Sequence, residues 1–184
     1  MNDAKKLVVF FSHTGENYNV GNIDTGNTEI IAKMIAEAVG AKEFRIMPVN
    51  VYPHKSYEQC CEVAKREKHE HARPAFQGNI DLKDFDVIFV GYPNWFDDVP
   101  MVMYTFFERH NWHGKTVIPF VTHEGSGMGK TDHKVQISCH GAHTLVGQGL
   151  AIEGKVAQQE QDKARKEVEA WLQGLGFKLK TENI

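Results

Sequence analysis

The chain is poor in cysteine: three in 184 residues, with Cys60 and Cys61 adjacent and Cys139 far away. Three thiols make no even disulfide framework, and neighbouring cysteines lack the C-x-x-C spacing of a redox or zinc motif. They are read as reduced thiols. Charge of one sign is also missing: the net formal charge of -3 leaves no basic footprint for a nucleic acid. Long apolar runs are absent as well. The short stretch around Leu7-Phe11 near the N-terminus is too brief for a signal-peptide core or a membrane span, so a cytoplasmic location away from the membrane is expected. No repeat, low-complexity tract or long linker interrupts the chain, and residues 1-184 are expected to form a single domain.

What is present is an alternation of short apolar runs with longer amphipathic ones, the pattern of β-α-β units around a parallel sheet buried on both faces. Leu7-Phe11 reads as strand one. Asn27-Gly40 reads as helix one, with Ile30, Ile31, Met34, Ile35 and Ala38 on one face. Lys42-Val49 is strand two, Ser56-Glu70 a charged amphipathic helix, and Val87-Tyr92 a buried strand three. Helix Met101-Arg109 follows Pro100, Thr116-Thr122 is strand four, and Asp132-Cys139 a short helix. Leu145-Ile152 supplies strand five, and Lys155-Gly174 a closing helix that turns Val156, Ala164, Val168, Trp171 and Leu172 to the sheet. Five strands and five helices predict an α/β, three-layer, doubly wound fold.

Such sheets bind ligands beyond the carboxyl ends of their strands, which singles out three loops. After strand one come Ser12-His13-Thr14-Gly15, then Glu16-Asp24, then Thr25-Gly26-Asn27-Thr28 opening helix one. Hydroxyls at a helix N-terminus suit a phosphate even without a lysine or arginine, although Thr25 or Asn27 taken alone equally well caps the helix. After strand three comes Pro93-Asn94-Trp95-Phe96-Asp97-Asp98-Val99-Pro100, whose aromatics either stack on a flat ligand or fold back into the core. After strand four comes Thr122-His123-Glu124-Gly125-Ser126-Gly127, with glycines that let backbone approach a planar ring.

Other chemistries fail on spacing. The stretch ending Gly129-Lys130-Thr131 imitates a nucleotide-triphosphate loop, but the first required glycine falls on Glu124, one residue before Gly125. Ser126 stands one position early for a Gly-x-Ser-x-Gly elbow. A phospho-receiver needs acidic residues where Ser12-His13 and Pro93-Asn94 stand. The pairs His69/His71, His110/His113 and His140/His143 lack further ligands, so no metal site is assigned.

A phosphate cradle, an aromatic platform and a glycine loop describe a site for a phosphorylated planar cofactor, and on these residues the chain resembles the flavodoxin-like family from Leu7 to the last helix. The family's phosphate pattern, Ser/Thr-x-Thr-Gly-x-Thr, is met in split form, as Ser12-His13 and then Thr25-Gly26-Asn27-Thr28. The resemblance implies a five-stranded parallel sheet of order 2-1-3-4-5 with FMN at its switch point. It implies that Ser12, His13, Thr25, Gly26, Asn27 and Thr28 hold the FMN phosphate, with Thr14 as a further member of the cradle. Pro93, Asn94, Trp95 and Phe96 would contact the flavin ring, and Thr122, His123, Glu124, Gly125, Ser126 and Gly127 would line its other edge.

Two departures stand out. Glu16-Asp24 is an insertion in which Asn17-Gly21 forms a lid or substrate wall, and the strand-three loop lacks the glycine that relatives carry after its aromatics. Both departures, with the weak net charge, favour an NAD(P)H-dependent reductase of a quinone, flavin or similar acceptor over the alternative of a flavodoxin-type carrier that docks a redox partner protein. No catalytic residue is assigned, and the oligomeric state is left open.

Overall fold

The computed structural model describes residues 1-180. Along the chain it forms β1 (Lys6–Phe10), a hairpin of β2 (Gly15–Asn17) and β3 (Gly21–Ile23), α1 (Asn27–Val39), β4 (Lys42–Arg45), β5 (Met47–Pro48), α2 (Tyr57–His69) and β6 (Phe76–Gln77). These are followed by β7 (Val87–Pro93), α3 (Met101–Arg109), β8 (Thr116–His123), α4 (Thr131–Ser138), β9 (His143–Thr144), β10 (Leu150–Glu153), α5 (Gly154–Gln159) and α6 (Gln161–Gly174).

The central sheet is parallel and runs β10-β8-β7-β1-β4, with β9 also pairing with β8. Numbered by its five principal strands this is the order 2-1-3-4-5, with the crossover between β1 and β7 that opens a crevice at the carboxyl ends. Strand alternation divides the core. Leu7, Val9, Ile88 and Val90 face α2, α3 and α4, while Val8, Phe10, Phe89 and Phe120 face α1, α5 and α6. Because both faces are covered, β7 is apolar and buried almost throughout. Among the described residues no helix is long and apolar enough to cross a membrane, and all three cysteines are free thiols.

The structure corrects three expected elements. Strand two leaves the sheet after Arg45, because Met47 and Pro48 turn to pair antiparallel with Phe76 and Gln77. Strand five is two pieces: β9 and β10 both lie along β8, and between them the Gly147 N–H is drawn out of the ladder to the buried Asp132 carboxylate at 2.8 Å. The closing helix breaks at Glu160, with φ -131° and ψ 50°. That break lets α5 lie against the start of α1, where Gln158 bonds the Thr25 carbonyl and Asn27, while α6 buries Ala164, Val168 and Leu172 over the sheet. Trp171 is half-buried against the same core, its ring 5.9 Å from that of Phe89 and its Nε1 donating to the Gln148 carbonyl.

The inserted segment forms an ordered hairpin of β2 and β3. Gly15 at its base has φ +89°, and a side chain there would meet the His54 carbonyl oxygen at 2.0 Å, so glycine is required by both conformation and space. The Glu16 N–H donates to the same carbonyl at 2.7 Å, and the Glu16 carboxylate accepts the Tyr57 N–H at 2.9 Å. The hairpin is therefore fastened to the start of α2.

Candidate functional site

The two halves of the split motif meet. A side chain at Gly26 would come within 2.1 Å of Ser12 Oγ and 2.6 Å of the His13 carbonyl oxygen, so the hairpin leaves and returns to a joint that only glycine fits. Gly26 supplies no capping side chain to α1, and Ser12 Oγ substitutes from across the joint by accepting the Glu29 N–H at 3.0 Å. The first backbone N–H groups of α1 have no acceptor within the helix, and they carry the positive end of its dipole. Thr28 is buried with its hydroxyl 2.7 Å from that of Thr122, tying α1 to the end of β8. Ser12, Gly26 and Thr28 thus set the wall from behind, whereas Asn27 lines the cleft.

His13 packs edge-on against Trp95 with ring centroids 5.9 Å apart. Loss of hydration, with the nearby His54 adding to it, lowers its pKa to about 4, so the ring is neutral at pH 7. Its Nε2 is buried without a partner. Thr14 and Thr25 are half-buried at the mouth of the joint.

The strand-three loop is pinned from several sides. The Asn94 N–H donates to the Thr122 carbonyl at 2.9 Å, its Nδ2 to the Gly127 carbonyl at 3.0 Å, and its Oδ1 accepts the Asp97 N–H at 3.0 Å. Phe96 and Asp97 have φ of 59° and 57°, two consecutive non-glycine residues in the left-handed region. Such residues cost roughly 1–3 kcal/mol each and persist only when their surroundings hold them. Asp98 is the main holding point. Its buried carboxylate accepts the Val99 N–H at 2.8 Å, the Tyr104 hydroxyl at 2.7 Å and Lys134 Nζ at 2.7 Å, with Lys68 Nζ at 3.8 Å also bonded to the Phe96 carbonyl. Trp95 is only half free. Its ring meets those of Phe11 and Tyr52 edge-on at 5.4 and 5.0 Å, so the core claims one side of the expected platform.

In the strand-four loop, His123 Nδ1 accepts the Gly125 N–H at 2.9 Å, and desolvation lowers the pKa of the ring. Glu124 is half-buried, and desolvation raises its pKa. Its Oε2 receives Asn19 Nδ2 from the hairpin tip at 3.4 Å, while Oε1 is buried without a partner. Gly125 and Gly127 have φ of 113° and 65° and bend the loop, with Ser126 exposed beside them.

These loops enclose two adjoining hollows. One, of about 190 Å³, is lined by Asn27, Pro93, Thr122, His123, Glu124 and Ser126. The other, of about 150 Å³, is reached by His13 and Phe96 and backed by α2. Asn17, Tyr57, Asn94 and Trp95 line both. The sequence reading missed Tyr57, Cys60, Cys61 and Ala64 of α2, since nothing in an amphipathic helix signals which loop it will face. It also missed Gln158, whose partners lie more than 130 residues away. His110, by contrast, is placed between the Phe106 and Ile80 carbonyls at 2.7 and 2.9 Å.

The sequence and the fold recur among known proteins. The family model described as Flavodoxin matches residues 5–174. No curated protein matches the chain. A candidate flavoprotein structure from Bacteroides uniformis is 28% identical with a TM-score of 0.73, over 92% of this chain and 98% of that one. A second, from Bacteroides eggerthii, is 26% identical with a TM-score of 0.72, over 95% and 99%. A Lactobacillus acidophilus flavoprotein in complex with FMN shares the fold at 20% identity and a TM-score of 0.57, over 87% and 97%.

Proposed function

The chain belongs to the flavodoxin family, and on that premise we propose that it binds FMN and acts as an NAD(P)H-dependent reductase of a quinone, flavin or similar acceptor. The observation that carries this reading is the pairing of two hollows. A strand-end cleft with an open helix N-terminus suits a phosphorylated cofactor, and a pure carrier has no use for the second hollow beside it, walled by an inserted hairpin.

The cleft fits the cofactor on its own chemistry. The start of α1 offers unpaired N–H groups to a dianionic phosphate, with Thr14, Thr25 and Asn27 around them and Ser12, Gly26 and Thr28 fixing their position. Neutral His13 brings no charge there. Glu124 lines the cleft and its buried Oε1 has no partner, which leaves this wall short of a hydrogen bond. Pro93 to Phe96 and Thr122 to Gly127 lie side by side, joined through Asn94, and would take the face and the edge of a flat ring. When bound, FMN supplies the hydride-accepting ring. The chain's part is to bind, orient and exclude water. No lysine or arginine lines either hollow, so the phosphates of a nicotinamide donor find cations at the rim, where Lys65 lies 5.2 Å from the Phe96 ring centroid and Lys68 reaches the loop. Three free thiols fit a reducing compartment such as the cytoplasm.

The test is an anaerobic one. Protein is incubated with FMN, freed of excess, and mixed with NADPH or NADH while the visible flavin bands are followed. Bleaching by the nicotinamide alone is expected. Bands that persist until dithionite is added mean a carrier that takes electrons from a redox partner protein, and no retained flavin overturns the cofactor assignment.

A further inference from the structure

The second hollow lies beside the cleft, between α2, the hairpin and the strand-three loop. Not one Lys, Arg, Asp or Glu lines it, its imidazole, His13, is neutral at pH 7, and its phenol, Tyr57, is pushed up to about 12 and is neutral as well. A charged ligand entering it would lose hydration with nothing to replace it, which selects a neutral one. Its volume of about 150 Å³ is that of a cavity known to admit benzene, so it takes one six-membered ring and is too small for a dinucleotide.

The walls favour a flat shape. Trp95 and Phe96 bound one side, the buried Cys60 and Ala64 of α2 form the floor, and Tyr57 stands at the mouth. Tyr57 is held there by Tyr18 of the hairpin tip, whose ring lies 5.7 Å away at 31°. Most of the polar capacity is already committed: Asn17 Nδ2 donates to the His13 and Gly15 carbonyls, and the Asn94 amide is bound at both ends. We infer that this hollow is an acceptor subsite for a neutral, planar, single-ring carbonyl compound of quinone type. The acceptor role rests on the reductase reading. The overall change balances as quinone, NAD(P)H and one proton giving hydroquinone and NAD(P)⁺.

The test is an amide-resolved NMR titration of the FMN-loaded protein with benzamide, which is neutral, one-ring and inert to thiols and reduction. Benzoate serves as the charged control and anthracene-9-carboxamide as the three-ring control. Benzamide is expected to shift the Tyr57, Cys61, Ala64 and Trp95 signals saturably, and both controls are expected to bind at least about tenfold more weakly. Duroquinone, with no free ring position for thiol addition, is expected to displace benzamide. Ala64→Leu fills the floor and should weaken benzamide at least about tenfold while changing FMN affinity less than about twofold. Cys61→Leu, at a half-buried position, provides the same test should Ala64→Leu not fold. Equal binding of benzoate, shifts elsewhere, failure of duroquinone to compete, or indifference to both substitutions overturns the inference. Parallel loss of FMN in the filled variants overturns it too, because the cofactor would then occupy the hollow. Repeating the titration without FMN separates the two claims: benzamide binding to a protein that retains no flavin leaves the ring slot standing while the cofactor reading fails.

Discussion

The two walls of the cleft are built from different materials. The α1 wall is made of backbone: a glycine joint, a helix start, and hydroxyls that bond to each other or to main chain rather than into the cleft. The strand-three wall is made of side chains, since two left-handed residues with no glycine between them are held by Asn94 and Asp98 and by lysines from α2 and α4. A backbone anion site needs no cation and tolerates side-chain changes that spare its geometry. A wall set by side-chain pins fails when one pin is removed.

Asp98→Ala gives the sharpest break, because it releases Lys134 and Tyr104 together and leaves the Val99 N–H buried without an acceptor. A loss of about 3 kcal/mol in urea unfolding is expected, typical of a buried charged group removed from its partners. Gly26→Ala breaks the other wall at its joint. It should weaken FMN about a hundredfold by equilibrium titration, or about 2.7 kcal/mol, with a smaller effect on riboflavin, which lacks the phosphate.

Next is a pH effect. His13 titrates near 4 in the folded protein against 6.5 unfolded, so between those values the unfolded chain binds more protons. Its contribution to stability is therefore complete above pH 6.5 and is lost as the pH falls toward 4, on the order of 2 kcal/mol. His13→Gln should flatten that part of the stability profile of the FMN-free protein. Thr28→Ala leaves the buried Thr122 hydroxyl without its partner and loosens the first turn of α1. It should weaken FMN about tenfold and riboflavin much less. The smallest effect is expected at Asp97→Gly, where relief of the left-handed strain outweighs the long 3.4 Å contact from the Lys130 N–H. A gain of about 0.5 kcal/mol in unfolding free energy would show that the loop is held against its own preference.

The parallel sheet and the three loops were legible because apolar runs such as Val87-Tyr92 read as buried strands whose following loops lie at the sheet's carboxyl edge, while the strand order was implied by the family resemblance. Interruptions caused by distant side chains were not. Nothing in Leu145-Ile152 tells that Asp132 will withdraw the Gly147 amide, nor in Lys155-Gly174 that Gln158 will turn toward Thr25. The candidate site divides in the same way. Ser12-His13 and Thr25-Thr28 were readable as a split motif, but the Thr28–Thr122 hydroxyl pair joins residues 94 apart, and Trp95 shares its ring with Phe11 and Tyr52 only once β1 and β7 are neighbours. The second hollow takes its floor from α2, whose inward face is set by packing alone.

Whether the start of α1 holds the phosphate of FMN is decided by titrating the FMN-free protein with FMN and with riboflavin under identical conditions. FMN is expected to bind about a hundredfold more tightly, the difference arising at the helix N-terminus. Equal affinities for the two would contradict it.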